Sequence, residues 1–155
     1  MSDITATLSV SIKELPSIHI AYIEYKVGAE QGDMHNEIGE CFRRVQAWVR
    51  ERGGDPFSLL NVGALNRLGG QLSSYECCVQ VSEQVQSGSD GVKIKELPGG
   101  RYAVASIAKD PSIIGPSIGR FHQEYVPQHN LAMDGTRPTY EIYYEKTMEY
   151  CVPIL

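Results

Sequence analysis

The chain has no apolar run approaching the roughly 20 residues that a membrane-spanning helix needs. Its opening residues, Met1-Ser-Asp-Ile-Thr-Ala-Thr7, lack the basic and apolar regions of a signal peptide, so a cytoplasmic setting is expected. There are four cysteines, Cys41, Cys77, Cys78 and Cys151, and none are spaced as C-x-x-C, which argues against structural zinc. The four histidines, His19, His35, His122 and His129, show neither H-x-x-x-H nor H-E-x-x-H spacing, so no metal site is expected. The glycine pairs at 53–54, 69–70 and 99–100 form neither a dinucleotide fingerprint nor a Walker loop; they read as turns, and no cofactor is implied. Clustered Lys and Arg are missing too, and the net charge of −5 disfavours a nucleic-acid surface. An acidic balance suits neutral or cationic small ligands.

One apparent motif fails on context. Gly115-Pro-Ser-Ile-Gly119 matches the nucleophile elbow of serine hydrolases, but too little chain follows for the later strands, acid and histidine of that fold. Pro116 and Ser117 read instead as the first turn of a helix, where proline is tolerated. With 42% hydrophobic and 21% charged residues, the chain has the make-up of one globular domain over residues 1–155. Cys41, Cys151 and at least one of Cys77 and Cys78, which point to opposite faces of a strand, read as small buried hydrophobes in a reducing compartment.

What is present is a repeat. Val10-Ser-Ile-Lys-Glu-Leu-Pro16 returns as Val92-Lys-Ile-Lys-Glu-Leu-Pro98. Each copy is followed by a β-branched and aromatic run, Ser17–Tyr25 in one half and Gly99–Ile107 in the other, as a strand after a tight turn would be. Next comes an apolar stripe at helical spacing, Ile38, Phe42, Val45 and Val49 in the first half, and Ile114, Ile118, Phe121 and Tyr125 in the second. Gly53-Gly54 and Pro127 are the stop signals. Each half closes on a strand, Tyr75–Val81 and Glu149–Ile154.

The spacing predicts an α+β fold of two strand-strand-helix-strand-strand halves, about 8–82 and 90–155. Helices are expected over about 36–52 and 114–126, and strands over most of 18–26, 75–82, 101–108 and 138–145. Ile38, Phe42, Val45, Ile118 and Phe121 are the expected core. Two related halves also lead one to expect a groove at their junction.

The segment Pro138-Thr-Tyr-Glu-Ile-Tyr-Tyr-Glu-Lys146 carries chemistry. In a strand, Glu141, Tyr143 and Glu145 share one face and Tyr140, Ile142 and Tyr144 the other. The second set suits the face covered by helices, which leaves the acid beside its aromatic neighbour on the far face. A carboxylate next to tyrosine is the pairing a lipophilic cation wants, charge for charge plus a ring face.

Glu14-Leu-Pro-Ser-Ile-His-Ile-Ala-Tyr-Ile-Glu-Tyr-Lys-Val-Gly28, the helix Ile38–Val49 with Phe42 and Trp48, Leu97-Pro-Gly-Gly-Arg-Tyr-Ala-Val104, Pro138–Tyr143 and Val152-Pro-Ile154 follow one another along nearly the whole chain. In this order they resemble the GyrI-like small-molecule-binding domain, the effector-binding half of AraC- and MerR-type multidrug regulators. The resemblance implies pseudo-symmetric halves, a curved antiparallel sheet with two helices on one face, and a ligand cleft between the halves. It marks Glu141 and Tyr143 as ligand contacts. Tyr22, Tyr102 and Trp48 are further lining candidates on their residue types, and Trp48 equally suits the core of its helix. No catalytic or metal-binding residue is assigned.

The function expected is a stand-alone module that binds small amphipathic cations for sequestration or sensing, with no membrane or nucleic-acid partner. Because no helix-turn-helix precedes the domain, a complete one-component regulator is not expected. Two alternatives follow from relatives: a hydrolase that opens strained rings with Glu and Tyr as acid–base groups, and a gyrase-binding type of protein module. Glu141, Glu145 and Glu149 offer the latter only a partial acidic face.

Overall fold

The computed structural model describes residues 8–27, 34–68 and 71–155, so the expected turn at Gly69-Gly70 lies outside the described residues. In chain order the elements are β1 (Ser9–Leu15), β2 (Ile18–Lys26), α1 (Met34–Glu51), β3 (Asn61–Leu68), β4 (Gln71–Gln80), β5 (Lys93–Leu97), β6 (Gly100–Ala108), α2 (Pro111–Arg120), β7 (Thr139–Tyr143) and β8 (Thr147–Pro153). A π-helical turn, Phe121–Tyr125, and a last α-helical stretch, Val126–Gln128, prolong α2. The fold is α+β, and strand-strand-helix-strand-strand is read twice along the chain.

Residues Pro16–Gly99 form one compact unit, and β1 with Gly100–Leu155 forms the other. The units therefore do not coincide with the repeats. β1 leads the first repeat but pairs with β6, Ser9 opposite Ser106 and Leu15 opposite Gly100. β5 leads the second repeat but pairs with β2, Ile18 opposite Leu97. The links after these strands, Pro16-Ser17 and Pro98-Gly99, hold proline where a two-residue hairpin needs positive φ. Within Pro16–Gly99 the strands run β3-β4-β2-β5, and within the other unit β1-β6-β8-β7, with every pairing antiparallel.

In the Pro16–Gly99 unit, α1 lays Val45, Trp48 and Val49 on Ala21, Ile23 and Val79. Glu37 in its first turn and Arg50 in its last complement the helix dipole. The helix ends where expected. Gly53 takes φ +87°, its N–H bonds Arg50 O, and Gly54 N–H bonds Val49 O, a Schellman closure. In the other unit, Asp110 caps α2 by accepting from Ser112 N and Pro111 opens the helix, three residues before the expected start. Pro116 thus lies inside the helix, not in its first turn. Pro127 does not stop the helix either. In the π turn Val126 N–H bonds Phe121 O, five residues back, and α-helical geometry resumes through Gln128.

Ile114, Ile118, Phe121, Tyr125 and Val126 pack on a sheet face made by Ala103, Ala105, Ile107, Met148, Tyr150 and Val152. The two alanines leave the volume that the Phe121 and Tyr150 rings fill. Val45 and Phe121 are fully buried, as expected of the core. Ile38, Phe42 and Ile118 are only half-buried, because the helix rims leave one edge of each open to solvent. The reverse sheet face is buried as well, including Tyr102, Val104, Tyr140 and Cys151. Both faces of this sheet are therefore apolar.

Candidate functional site

β7 and β8 build the site. Their register sets Glu141 opposite Tyr150 and Tyr143 opposite Met148, and directly opposed residues share a face. Met148 and Tyr150 belong to the cluster under α2, with Tyr143 packed against it. Glu141 and Tyr143 accordingly lie on the helix-covered face. This reverses the expected assignment: Tyr140 and Ile142 occupy the other face, Tyr140 opposite Cys151 and Ile142 opposite Glu149. Alternation gives which side chains go together, but when both faces are apolar it does not say which one meets the helix.

On that face the Tyr143 hydroxyl donates to Glu141 Oε1 at 2.5 Å. The two residues are two apart on one strand, so the pair is fixed by the pleat. Both are half-buried, which keeps one side of the pair toward solvent and the other against apolar packing. Beside them Tyr150 is buried, and its hydroxyl meets His122 Nε2 at 2.7 Å. His122 comes from the π turn, its ring edge-on to both Phe121 and Tyr150. Glu145 is not part of this face, since β7 ends at Tyr143 and Glu145 lies in the turn to β8. Glu149 points to the reverse face, where it meets Lys13 and accepts from Tyr144. No continuous acidic face is formed by Glu141, Glu145 and Glu149.

The other sequence candidates are dispersed. Tyr102 is fully buried on the reverse face, stacked on Tyr140 with ring centres 5.2 Å apart, and donates to Pro138 O. Burial raises its phenol pKa above the ordinary value. Trp48 belongs to the core beneath α1, its indole N–H on Ser89 Oγ and the Arg52 guanidinium 3.8 Å over its ring. The Tyr22 ring is met by Lys95 Nζ at 4.4 Å, and that ammonium is bound by the buried carboxylate of Glu76 at 2.6 Å. The chain thus supplies its own cation there. His122 and Tyr150 escaped the sequence reading. Tyr150's only signal was that Met148, Tyr150 and Val152 recur at every second position of β8, and His122 had none.

All four cysteines are free, with Cys77, Cys78 and Cys151 buried and Cys41 half-buried. Burial pushes the Cys151 thiol up to about 12, and burial likewise raises the other three. Such thiols are poor nucleophiles, in keeping with a packing role. Among the described residues no cluster of metal-ligating side chains occurs, and no helix is long and apolar enough to cross a membrane.

Residues 8–154 match the family model of the GyrI-like small molecule binding domain. The chain belongs to the GyrI-like family. Solved structures share the fold at low identity. SAV2435, bound to tetraphenylphosphonium, is 17% identical with a TM-score of 0.63, over 95% of this chain and 94% of that one. The EcmrR C-terminal domain is 11% identical with a TM-score of 0.68, over 96% and 98%. A hydrolase from Listeria innocua is 12% identical with a TM-score of 0.66, over 94% and 91%. No curated protein matches the sequence significantly. In this GyrI-like chain, β7 (Thr139–Tyr143) presents its acid and aromatic as a hydrogen-bonded pair on the helix-covered face.

Proposed function

We propose that this GyrI-like domain binds small amphipathic cations on the helix-covered face of β7 and β8, with Glu141 as charge partner and Tyr143 as aromatic wall. The observation that carries the reading is the Tyr143–Glu141 hydrogen bond at 2.5 Å against an apolar cluster. The phenol holds the carboxylate in one orientation, and the packing around it lowers the local dielectric, which strengthens attraction to a bound cation. A flat aromatic neighbour adds a cation–π surface. A relative of the same fold bound to a lipophilic phosphonium supports the chemical class. Contact by Tyr22, Tyr102 or Trp48 requires displacement of their present partners, Lys95, Tyr140 and Ser89. Four free cysteines support a reducing, cytoplasmic setting.

The test is calorimetric titration with tetraphenylphosphonium and with neutral triphenylphosphine oxide. Glu141→Gln keeps shape and removes charge. It is expected to weaken the phosphonium by about tenfold or more while leaving the neutral compound nearly unchanged. Equal losses for both compounds would assign the effect to packing, and no loss for either would place the site elsewhere. Recovery of the ligand unchanged after long incubation separates binding from turnover.

A further inference from the structure

The π turn buries Phe121 and sets the next residue, His122, against Tyr150 of the sheet. There His122 Nε2 lies 2.7 Å from the hydroxyl of Tyr150, and Tyr150 is the direct cross-strand neighbour of Glu141. A π turn inside an α-helix is frequently found where a side chain must be aimed at a functional site. A neutral imidazole offers Nε2 as acceptor to the Tyr150 hydroxyl, whereas an imidazolium can only donate to it. The Tyr150 hydroxyl can serve either way, so the contact survives protonation while the charge of the site changes.

We propose that His122 sets the charge of the ligand site: when neutral it leaves the Glu141 carboxylate as the dominant charge, and when protonated it places a cation across the strand pair and repels cationic ligands. The inference rests on the reading of Glu141 and Tyr143 as the ligand contacts. It predicts a domain that releases lipophilic cations as the pH falls through the imidazole range.

The surroundings make His122 the main source of such a change. On its own helix the neighbouring charges are Arg120 and Glu124, paired with each other at 3.8 Å, and Tyr125 stacks on His129. β7 contributes Glu141 and Tyr143, and β8 contributes Tyr150. β6 and β1 face this cluster with Ala103, Ala105, Ile107 and Val10, joined by Leu8 just before β1, and Arg101 opposite Glu14 stands near the far end of their register. Glu141 stands across the strand pair from Tyr150, whose hydroxyl meets the imidazole, so the carboxylate and the ring share that tyrosine as a common neighbour.

The experiment follows tetraphenylphosphonium affinity from pH 8 to pH 5.5 in the full chain, its His122→Gln variant and its Glu141→Gln variant. It also follows the His122 imidazole by NMR without ligand. In the unaltered protein the affinity is expected to fall about tenfold across the range. In His122→Gln, which retains a hydrogen-bonding partner for Tyr150, the profile should flatten. Glu141→Gln should shift the His122 midpoint to lower pH, a response that a purely packing role for His122 does not produce. Phosphonium binding that depends on Glu141 but has the same pH profile with and without His122 overturns this inference alone. Phosphonium binding indifferent to Glu141 at every pH overturns the reading of the site and this inference with it.

Discussion

His19 reaches Glu96 with one ring nitrogen and the Val85 carbonyl with the other, Nδ1 to Oε2 at 2.5 Å and Nε2 to O at 2.6 Å. Both partners are acceptors, and only the imidazolium can donate to both. The ring thereby ties β2 to β5 and to the loop that joins β4 to β5.

A dependence of stability on pH follows. The Val85 carbonyl is the largest cause raising the His19 pKa, with Glu96 and Glu83 adding to it and burial opposing. A raised folded-state pKa means that the stabilisation is fully present below the unfolded-state value and is lost as pH rises through the folded one. Melting temperature should fall between roughly pH 6 and pH 8, and His19→Gln should remove that slope. Differential scanning calorimetry across this range is the check. A slope that is the same in the variant would assign the pH dependence to other groups.

Tyr143→Phe keeps the ring and deletes the hydroxyl that orients Glu141. Affinity for tetraphenylphosphonium is expected to drop by about 1 kcal/mol, the usual worth of such a hydrogen bond. Tyr143→Leu removes the ring face as well and should lose more. Identical affinities for the two variants in calorimetric titration would leave the ring without a part in binding.

Phe121 is fully buried between Tyr125, Tyr150 and His122, at ring-centre distances of 5.7, 5.8 and 5.1 Å. Phe121→Ala is expected to cost about 3–5 kcal/mol in urea unfolding. The half-buried Phe42 should cost less on the same substitution. The reverse order would mean that α1, not the π turn, anchors the more tightly packed core.

A Cβ at Gly63 on β3 would run into the phenol of buried Tyr75, whose ring crosses the space a side chain would fill. Gly63→Ala should destabilise by about 1–3 kcal/mol through overpacking. In a Tyr75→Ala background the same substitution should cost nearly nothing, because the obstructing ring is gone. Additive costs in the double variant would show that the glycine is needed for another reason.

Residue order alone carried much of this molecule. The paired Ile-Lys-Glu-Leu-Pro segments, the apolar stripes of Ile38–Val49 and Ile114–Tyr125, and the closing strands announced strand-strand-helix-strand-strand twice. Those are local signals of period and punctuation, and local signals survive folding because they are written in neighbouring residues. The pairing of Glu141 with Tyr143 was legible for the same reason, since residues two apart on a strand must share a face.

Partners distant in sequence were decided only by tertiary structure. β1 and β5 are nearly the same strand in sequence, so nothing local says that each joins the other repeat's second strand, β1 to β6 and β5 to β2. The face bearing Glu141 was set by which side of an apolar-on-both-sides sheet received the second helix, where Phe121 packs with Ala103 and Ala105. His122 came to Tyr150 through one π turn, a distortion that costs little in sequence signal and moves a side chain to a new face. Period and composition are properties of a segment; pairing, face and aim are properties of the packed whole, settled by volume and hydrogen bonding among residues that the sequence holds far apart.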